Sequence, residues 1–316
     1  MLAMAGIIAL SITSCKKDDE ATKVKGCMDP NSLTYNPNAV EDDGSCTYAS
    51  NTPSKRVAVV EEYTGVRCTF CPDGHRRAQS FVDAYPGKVV VINVHTGSFA
   101  SAAAGWPDFT NEFGAAMASK AGMGQAGTGY PGGSISRNTF KDYPEMAGFK
   151  MAKGDAYTLL NRGGWWNNGI SPGGDIIVGM NAPVNVAVMP KYTAGSREVQ
   201  VTVELFFTST VADGAKLNIA LLEDNVKGKQ IDAGKTIEDY NHKHLLRHLL
   251  TGQWGAEISI TEAKVGSRVK KSFKYTIPEK DKNGAPIKVE DCKIAAYVTA
   301  YDNNDILNGA QAKMIK

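Results

Sequence analysis

Two hydrophobic textures divide this chain. Between residues 56 and 97 the apolar positions come in nearly unbroken runs, "RVAVVEEYTG" and "KVVVINVHTG", the pattern of strands buried on both faces. The segment between them, from Cys71 to about Tyr85, reads as a helix, and strand, helix, strand at this spacing implies parallel pairing. Further on, "PDFTNEFGAAMASK" carries Phe109, Phe113 and Met117 at helical spacing and predicts an inserted helix over about 107–120. The glycine-rich "GTGYPGGSISRNTF" follows, then a further helix expected around 147–162. From about Ala182 short strand-like runs take over, among them "VNVAVMPKYT", "EVQVTVELFFTST", "KLNIALLED", "VKKSFKYTI", "KIAAYVTAYD" and "ILNGAQAKM". Val199, Val201, Val203 and Leu205 alternate with Gln200, Thr202 and Glu204, giving one dry and one wet face. Six or seven such strands predict an immunoglobulin-like β-sandwich over 182–316.

The N-terminal "MLAMAGIIALSITSC" is apolar, too short to span a bilayer, and of the length of a secretory h-region. Its end, Ile12 to Cys15, resembles a bacterial lipobox, so residues 1–15 are expected to be a signal peptide and Cys15 the lipidated N-terminus, anchored in an outer membrane. The tether at 16–25 opens with "KKDDE", which looks like the signals that carry some lipoproteins to the cell surface and equally like a solvated spacer. An exported chain sits where disulfides persist. Cys27, Cys46, Cys68, Cys71 and Cys292 therefore allocate most simply as two pairs and one leftover, Cys292.

Residues 26–48, bounded by Cys27 and Cys46, hold little that could form a core, and a disulfide between them would contribute roughly 3 kcal/mol by loop closure. Asp29, Asn31, Asn36, Asn38, Asp42 and Asp43 supply hard oxygen donors suited to calcium, and the run resembles short "GC-D-YN-DDGSC" repeats of bacterial surface proteins. The same residues equally make turns. "ASNTPSK" at 49–55 reads as a polar linker. At 316 residues and 42% hydrophobic the chain can bury real cores; 35 Lys+Arg against 33 Asp+Glu, with no long run of either sign, offers no footprint for nucleic acid.

The sharpest chemistry lies in "GVRCTFCPDG", where a strand ends in C-x-x-C and a helix begins at the second cysteine, the arrangement of the thioredoxin fold. A thiolate at a helix N-terminus faces unpaired N–H groups and the positive end of the dipole, which lowers its pKa. Cys68 is the candidate nucleophile, Cys71 the resolving thiol, Arg67 a neighbouring positive charge, and Pro72 suits helix initiation. Glu62, six residues before Cys68, falls where thioredoxins place a buried acid, and Pro131, after Tyr130, falls where that fold has its cis-proline. The residue before the first cysteine is Arg67 rather than the usual Trp, and the interval to Pro131 is longer than in thioredoxin itself. Zinc would need a second knuckle that the chain lacks, whereas a permanently closed structural disulfide is an open alternative to a redox pair. His242, His244 and His248 could place two imidazoles on one strand face for a metal, or serve as packing residues; Trp165 and Trp166 read as interdomain core.

"EEYTGVRCTFCPDGHRRA", "GYPGGSISR" and "YNHKHLLRHLLTG" together resemble the outer membrane protein 28-related family, bacterial lipoproteins with a thioredoxin-like domain followed by a β-rich domain. The resemblance covers about 56–316, implies an envelope location and this domain pairing, and brings no established substrate. The expectation is thus α/β plus all-β: a stapled module at 26–48, a thioredoxin-like domain at 56–181 and a sandwich at 182–316. Two functions follow. One is a membrane-anchored thiol–disulfide oxidoreductase acting on envelope proteins with no cofactor required; the other is a surface binding or adhesion lipoprotein that uses the fold as a scaffold.

Overall fold

The computed structural model describes residues 23–153, 156–302 and 304–315. The expected signal peptide, Cys15 and most of the charged tether lie outside the described residues. The chain divides into two compact units, one ending at Thr47 and one running from Tyr48 to Lys316.

In the first unit Cys27 and Cys46 are disulfide-bonded with their Cα atoms 4.8 Å apart. Ser32, fully buried, ties the loop by donating to the Thr47 carbonyl and accepting from the Thr47 amide, both at 2.9 Å. Most of the expected calcium ligands are spent on turns: Asp29, Asn36, Asp42 and Asp43 each accept from the backbone amide two residues on, at 2.8, 3.1, 3.1 and 3.0 Å. Among the described residues no three of His, Cys, Asp and Glu gather as a metal site.

The second unit contains β1 (Ala58–Thr64), α1 (Cys71–Ala84), β2 (Val89–His95), α2 (Gly114–Ala121), β3 (Gly132–Ile135), β4 (Leu160–Asn161) and α3 (Pro172–Gly179). It continues with β5 (Val184–Thr193), β6 (Glu198–Phe207), β7 (Ala215–Glu223), β8 (Val226–Asp232), β9 (Lys235–His242), β10 (Leu245–Leu249), β11 (Ala256–Ile258), β12 (Arg268–Thr276), β13 (Cys292–Ala300) and β14 (Ile306–Lys313). β1 and β2 pair in parallel, as the strand, helix, strand pattern predicts, and β3 adds antiparallel to β1. Both strands are buried throughout because each face is covered. Ala58 and Val60 point to Ala78 and Phe81 of α1, Ile177 of α3 and Trp165, while Val59 and Tyr63 pack on the opposite face with Met117 of α2. Burial of each large apolar side chain here contributes on the order of 2 kcal/mol.

The main sheet runs β14-β13-β7-β10-β2-β1-β3-β4, with β11 also on β7, so it draws strands from both sides of the boundary expected at residue 181. The junction is narrow: Leu245 of β10 pairs with Asn93 of β2, and Asn93 donates from its amide to His244 O at 2.8 Å and from its side chain to Lys243 O at 2.9 Å. The dry face of the β12-β6-β5 sheet, Val199, Val201, Val203 and Leu205, packs on Leu217, Ile219, Ile294 and Val298 of the main sheet. The alternation read from the sequence thus corresponds to a two-layer β region that shares one of its layers with the α/β half. Trp165 is buried in the α1-side core, not at a domain junction.

Three expected segments differ. The helix around 147–162 is replaced by short 3-10 turns at Pro144–Phe149 and Arg162–Gly164 flanking β4, because Gly148, Gly154, Gly163 and Gly164 weaken a helix there. The inserted helix begins only at Gly114, where Asn111 Oδ1 accepts from the Phe113 and Gly114 amides; Phe109 is left outside it, buried with Val66 and Leu245. Residues 49–55 are docked rather than free. Asn185 holds the Ser50 and Thr52 carbonyls at 2.7 Å each, and Glu204 accepts from the Ala49 amide at 2.7 Å.

Candidate redox site

Cys68 and Cys71 form a disulfide at the start of α1, with Cys71 the first helical residue and Pro72 next to it, where a missing N–H costs nothing. The Tyr130–Pro131 peptide bond is cis. A Cβ built on Gly74, three residues after Cys71, would stand 2.6 Å from Glu62 Oε1 and 2.9 Å from Pro131 Cγ, so the Glu62 carboxyl lies against the first turn of α1 beside the cis-proline. Cys68, Cys71, Glu62 and Pro131, spread over seventy residues of sequence, are thereby gathered at one end of β1.

Glu61 and Glu62 are adjacent, both fully buried, and opposite in environment. On one face Arg137 donates to both Glu61 oxygens at 2.9 and 2.6 Å. On the other, neither Glu62 oxygen accepts a hydrogen bond among the described residues, and burial pushes its carboxyl well above the ordinary range. An unpaired buried carboxyl of this kind costs stability and binds a proton more readily than an ordinary carboxylate, which is the property a proton-exchanging group beside a thiol needs.

Arg67 is turned away from the role expected of it. Its Nη2 donates to the carbonyls of Ser98 and Ser101 at 2.6 and 3.2 Å and to Ser101 Oγ at 2.8 Å, tying the C-x-x-C loop to the segment after β2. Cys292, left over as expected, is free and buried; its Sγ lies 3.2 Å from Lys288 O, and burial pushes its thiol up, so it is inert at ordinary pH.

Two groups that the sequence reading did not single out complete the site. His75, one turn after Cys71, places Nε2 3.0 Å from Thr64 Oγ1 and 3.7 Å from Glu62 Oε1, while its Nδ1 lies 2.9 Å from Tyr240 Oη of β9. The spacing of Cys71 and His75, four apart in a helix, could have pointed to His75; nothing local could have brought in Tyr240, 165 residues away. The second group is the β8–β9 hairpin, which lies along the C-x-x-C loop. Ile231 N donates to Val66 O at 2.9 Å, Ala233 N to Thr69 O at 3.1 Å and Gly234 N to Thr69 Oγ1 at 2.7 Å. Gln230, fully buried, donates from Nε2 to Gly65 O at 3.3 Å and Cys68 O at 3.2 Å, and Arg76 pairs with Asp232 at 2.8 Å. Cys68 keeps only 2% exposure and Cys71 none. Phe70 between them remains 57% exposed.

The three histidines of the late motif separate. His242 packs among the rings of His95, Phe109 and Tyr240. His244 sits in the turn before β10 with Nδ1 2.6 Å from Lys293 Nζ, and His248 stacks on Tyr275 with centroids 4.4 Å apart. They serve as packing and pairing residues, and the metal alternative loses its geometry.

The overall chain path is similar to HBP35 of Porphyromonas gingivalis, with a TM-score of 0.60 at 19% identity over 83% of this chain and 76% of that one. A domain of the outer membrane lipoprotein Omp28 from Porphyromonas gingivalis matches at a TM-score of 0.30 and 18% identity, over 42% of this chain and 88% of that domain. No curated protein matches the chain. The family described as Outer membrane protein Omp28 matches residues 125–316, a stretch that holds Pro131, Gln230 and Tyr240 but starts after the cysteine pair; since it spans more than half of the sequence, the chain belongs to the Omp28 family of outer membrane proteins.

Proposed function

We propose that this Omp28-family protein is a lipid-anchored envelope oxidoreductase whose thioredoxin-like half exchanges disulfides with other envelope proteins through Cys68 and Cys71, the β-rich half being an immunoglobulin-like sandwich fused to it. The observation that carries the reading is the unpaired, fully buried Glu62 set against the first turn of α1 beside a cis-proline. A core residue under no chemical demand would be apolar at that position. Cys68 is the nucleophile that the helix terminus activates, Cys71 resolves the mixed disulfide, and Glu62 accepts and returns the Cys71 proton.

Replacing Cys71 by Ser tests the chemistry. Mixed disulfides with natural partners are expected to accumulate on Cys68 and to be recovered from the envelope, and reduced native protein is expected to be alkylated at Cys68 far faster than at Cys71. The anchor is tested separately: the Cys15→Ala protein is expected in the soluble fraction, and a variant that stays on the membrane refutes the lipid assignment.

A second reading draws on the 2% exposure of Cys68, which is what a permanently closed staple would show. In that reading the fold is a scaffold for surface binding; the pair is reduced only under strongly reducing conditions, both thiols are alkylated slowly, and no partner is trapped.

A further inference from the structure

The buried Glu62 needs a route by which protons reach solvent, because a carboxyl enclosed in the core exchanges slowly unless polar groups lead out of it. One such route is built into the fold. From Oε1 the path crosses 3.7 Å to His75 Nε2, passes through the imidazole to Nδ1, and crosses 2.9 Å to Tyr240 Oη. Tyr240 lines a cavity of about 330 Å³, open to solvent, whose other walls include an edge of His75 as well as Arg76, Gln79, Asn93 and Lys243. The His75 side chain is 12% exposed and Tyr240 is half-buried, and both border the cavity. Thr64 Oγ1, 3.0 Å from Nε2, steadies the ring on the Glu62 side.

We propose that His75 and Tyr240 are a proton relay between Glu62 and this cavity, serving the step in which Cys71 resolves a mixed disulfide; the proposal rests on the redox reading of the cysteine pair. In that step the Cys71 thiol gives its proton to the ionised Glu62, its sulfur forms a bond to the Cys68 sulfur, the bond between Cys68 and the substrate sulfur breaks, and the substrate leaves as a thiolate. Glu62 passes the proton to Nε2 of neutral His75, the proton on Nδ1 passes to the Tyr240 oxygen, and the Tyr240 proton leaves into the cavity. Glu62 is ionised again, as it was before the step, and the ring has exchanged tautomers, so the core carries the same charge before and after.

The surroundings suit this work. Besides Glu62, Thr64 and Tyr240, the charged and titratable groups facing His75 are Arg76 on its own helix and His242 and His244 from the end of β9 and the turn after it. Burial first, and then Arg76 and the neighbouring imidazoles, disfavour the imidazolium, with a pKa of about 3, so the ring is neutral at any pH at which the thiols react. His75 and Tyr240 touch neither sulfur. They are positioning residues that act through Glu62.

The test uses the reduced full-length protein with oxidised glutathione as the disulfide, and separates attack by Cys68 from resolution by Cys71 in quenched-flow mass spectrometry. Tyr240→Phe, which keeps the ring, and His75→Ala are each expected to slow resolution ~10-fold or more while leaving the first attack unchanged. Imidazole diffusing in from the cavity is expected to restore the His75→Ala rate, a rescue that a packing role would not show. In a Glu62→Gln background neither substitution is expected to slow resolution further. If Glu62→Gln slows resolution but Tyr240→Phe and His75→Ala do not, the relay is overturned and the redox reading survives. If native protein forms no mixed disulfide at all, the redox reading fails and the relay with it.

Discussion

The protein is expected to lose stability steeply as pH falls from 7 toward 5. Four histidines, His75, His95, His242 and His244, are buried and held neutral, chiefly by desolvation: His75 and His244 down to about 3, His242 to about 4, and His95 well below the ordinary imidazole value. A base whose folded pKa is depressed takes up its proton only on unfolding, so below the unfolded value near 6.5 the unfolded chain binds more protons and stability rises with pH. Each such group contributes a slope approaching ~1.4 kcal/mol per pH unit below 6.5, and at pH 5.5 the four together remove about 5 kcal/mol. Glu62 works in the opposite sense. Its raised folded value gives stability that is present in full below about 4.5 and is lost as pH rises through that raised value, which offsets part of the histidine effect. Since whole domains are stable by only ~5–15 kcal/mol, urea midpoints are expected to collapse within about one to two pH units. His242→Phe, which fits a pocket already lined by Phe109 and Tyr240, is expected to lower the slope by one proton. A midpoint that stays flat from pH 7 to 5.5 would refute this account.

Much of this arrangement was legible in the sequence, and the limits are physical. Continuous apolar runs gave away β1 and β2 because a strand covered on both faces has no polar positions to alternate, and the valine ladder of β6 announced its dry face for the complementary reason. The C-x-x-C at a helix start, the acid before it and the tyrosine–proline were all local patterns, and the fold gathers these residues at one end of β1. What stayed hidden depends on pairings distant in sequence. Nothing in "EEY" tells Glu61 from Glu62: their difference is Arg137, which strand geometry brings to one face and not the other. The strand pairing that carries the sheet across residue 181 is a single ladder pair, Leu245 with Asn93, too short to leave any periodic mark, although a shared core of Val59, Ile92, Leu222 and Tyr297 backs it. The β8–β9 hairpin is polar and charged, "VKGKQIDAGKTIEDYNH", and reads as loop because its job is to lie over backbone rather than to fill a core.

Loosening that hairpin is expected to raise the reactivity of the Cys68–Cys71 disulfide far more than any change to the cysteines' immediate neighbours. The hairpin is held over the loop mainly by hydrogen bonds: Ile231 and Ala233 to the backbone of residues 66–69, Gly234 to Thr69 Oγ1, and Gln230 to the carbonyls of Gly65 and Cys68. A reductant must reach Cys68, which is 2% exposed, so the reaction has to wait for the hairpin to move away. The observed rate is then the rate of the open form multiplied by its population. Gln230→Ala takes away both of its bonds to the loop and strands the Gly65 and Cys68 carbonyls in the closed state, a loss of roughly 1–3 kcal/mol that shifts the opening equilibrium toward the open form. Reduction by dithiothreitol under native conditions is therefore expected to speed up ~10- to 100-fold, since each 1.4 kcal/mol is about a factor of ten. Asp232→Ala, which breaks only the solvent-side ion pair with Arg76, is expected to change the rate by no more than about threefold. The expected order, Gln230→Ala well above Asp232→Ala and both above the native protein, follows from where each bond lies. Equal rates in all three proteins would mean that the disulfide is reached without moving the hairpin, and that the strand across Val66 to Thr69 is packing rather than a cover.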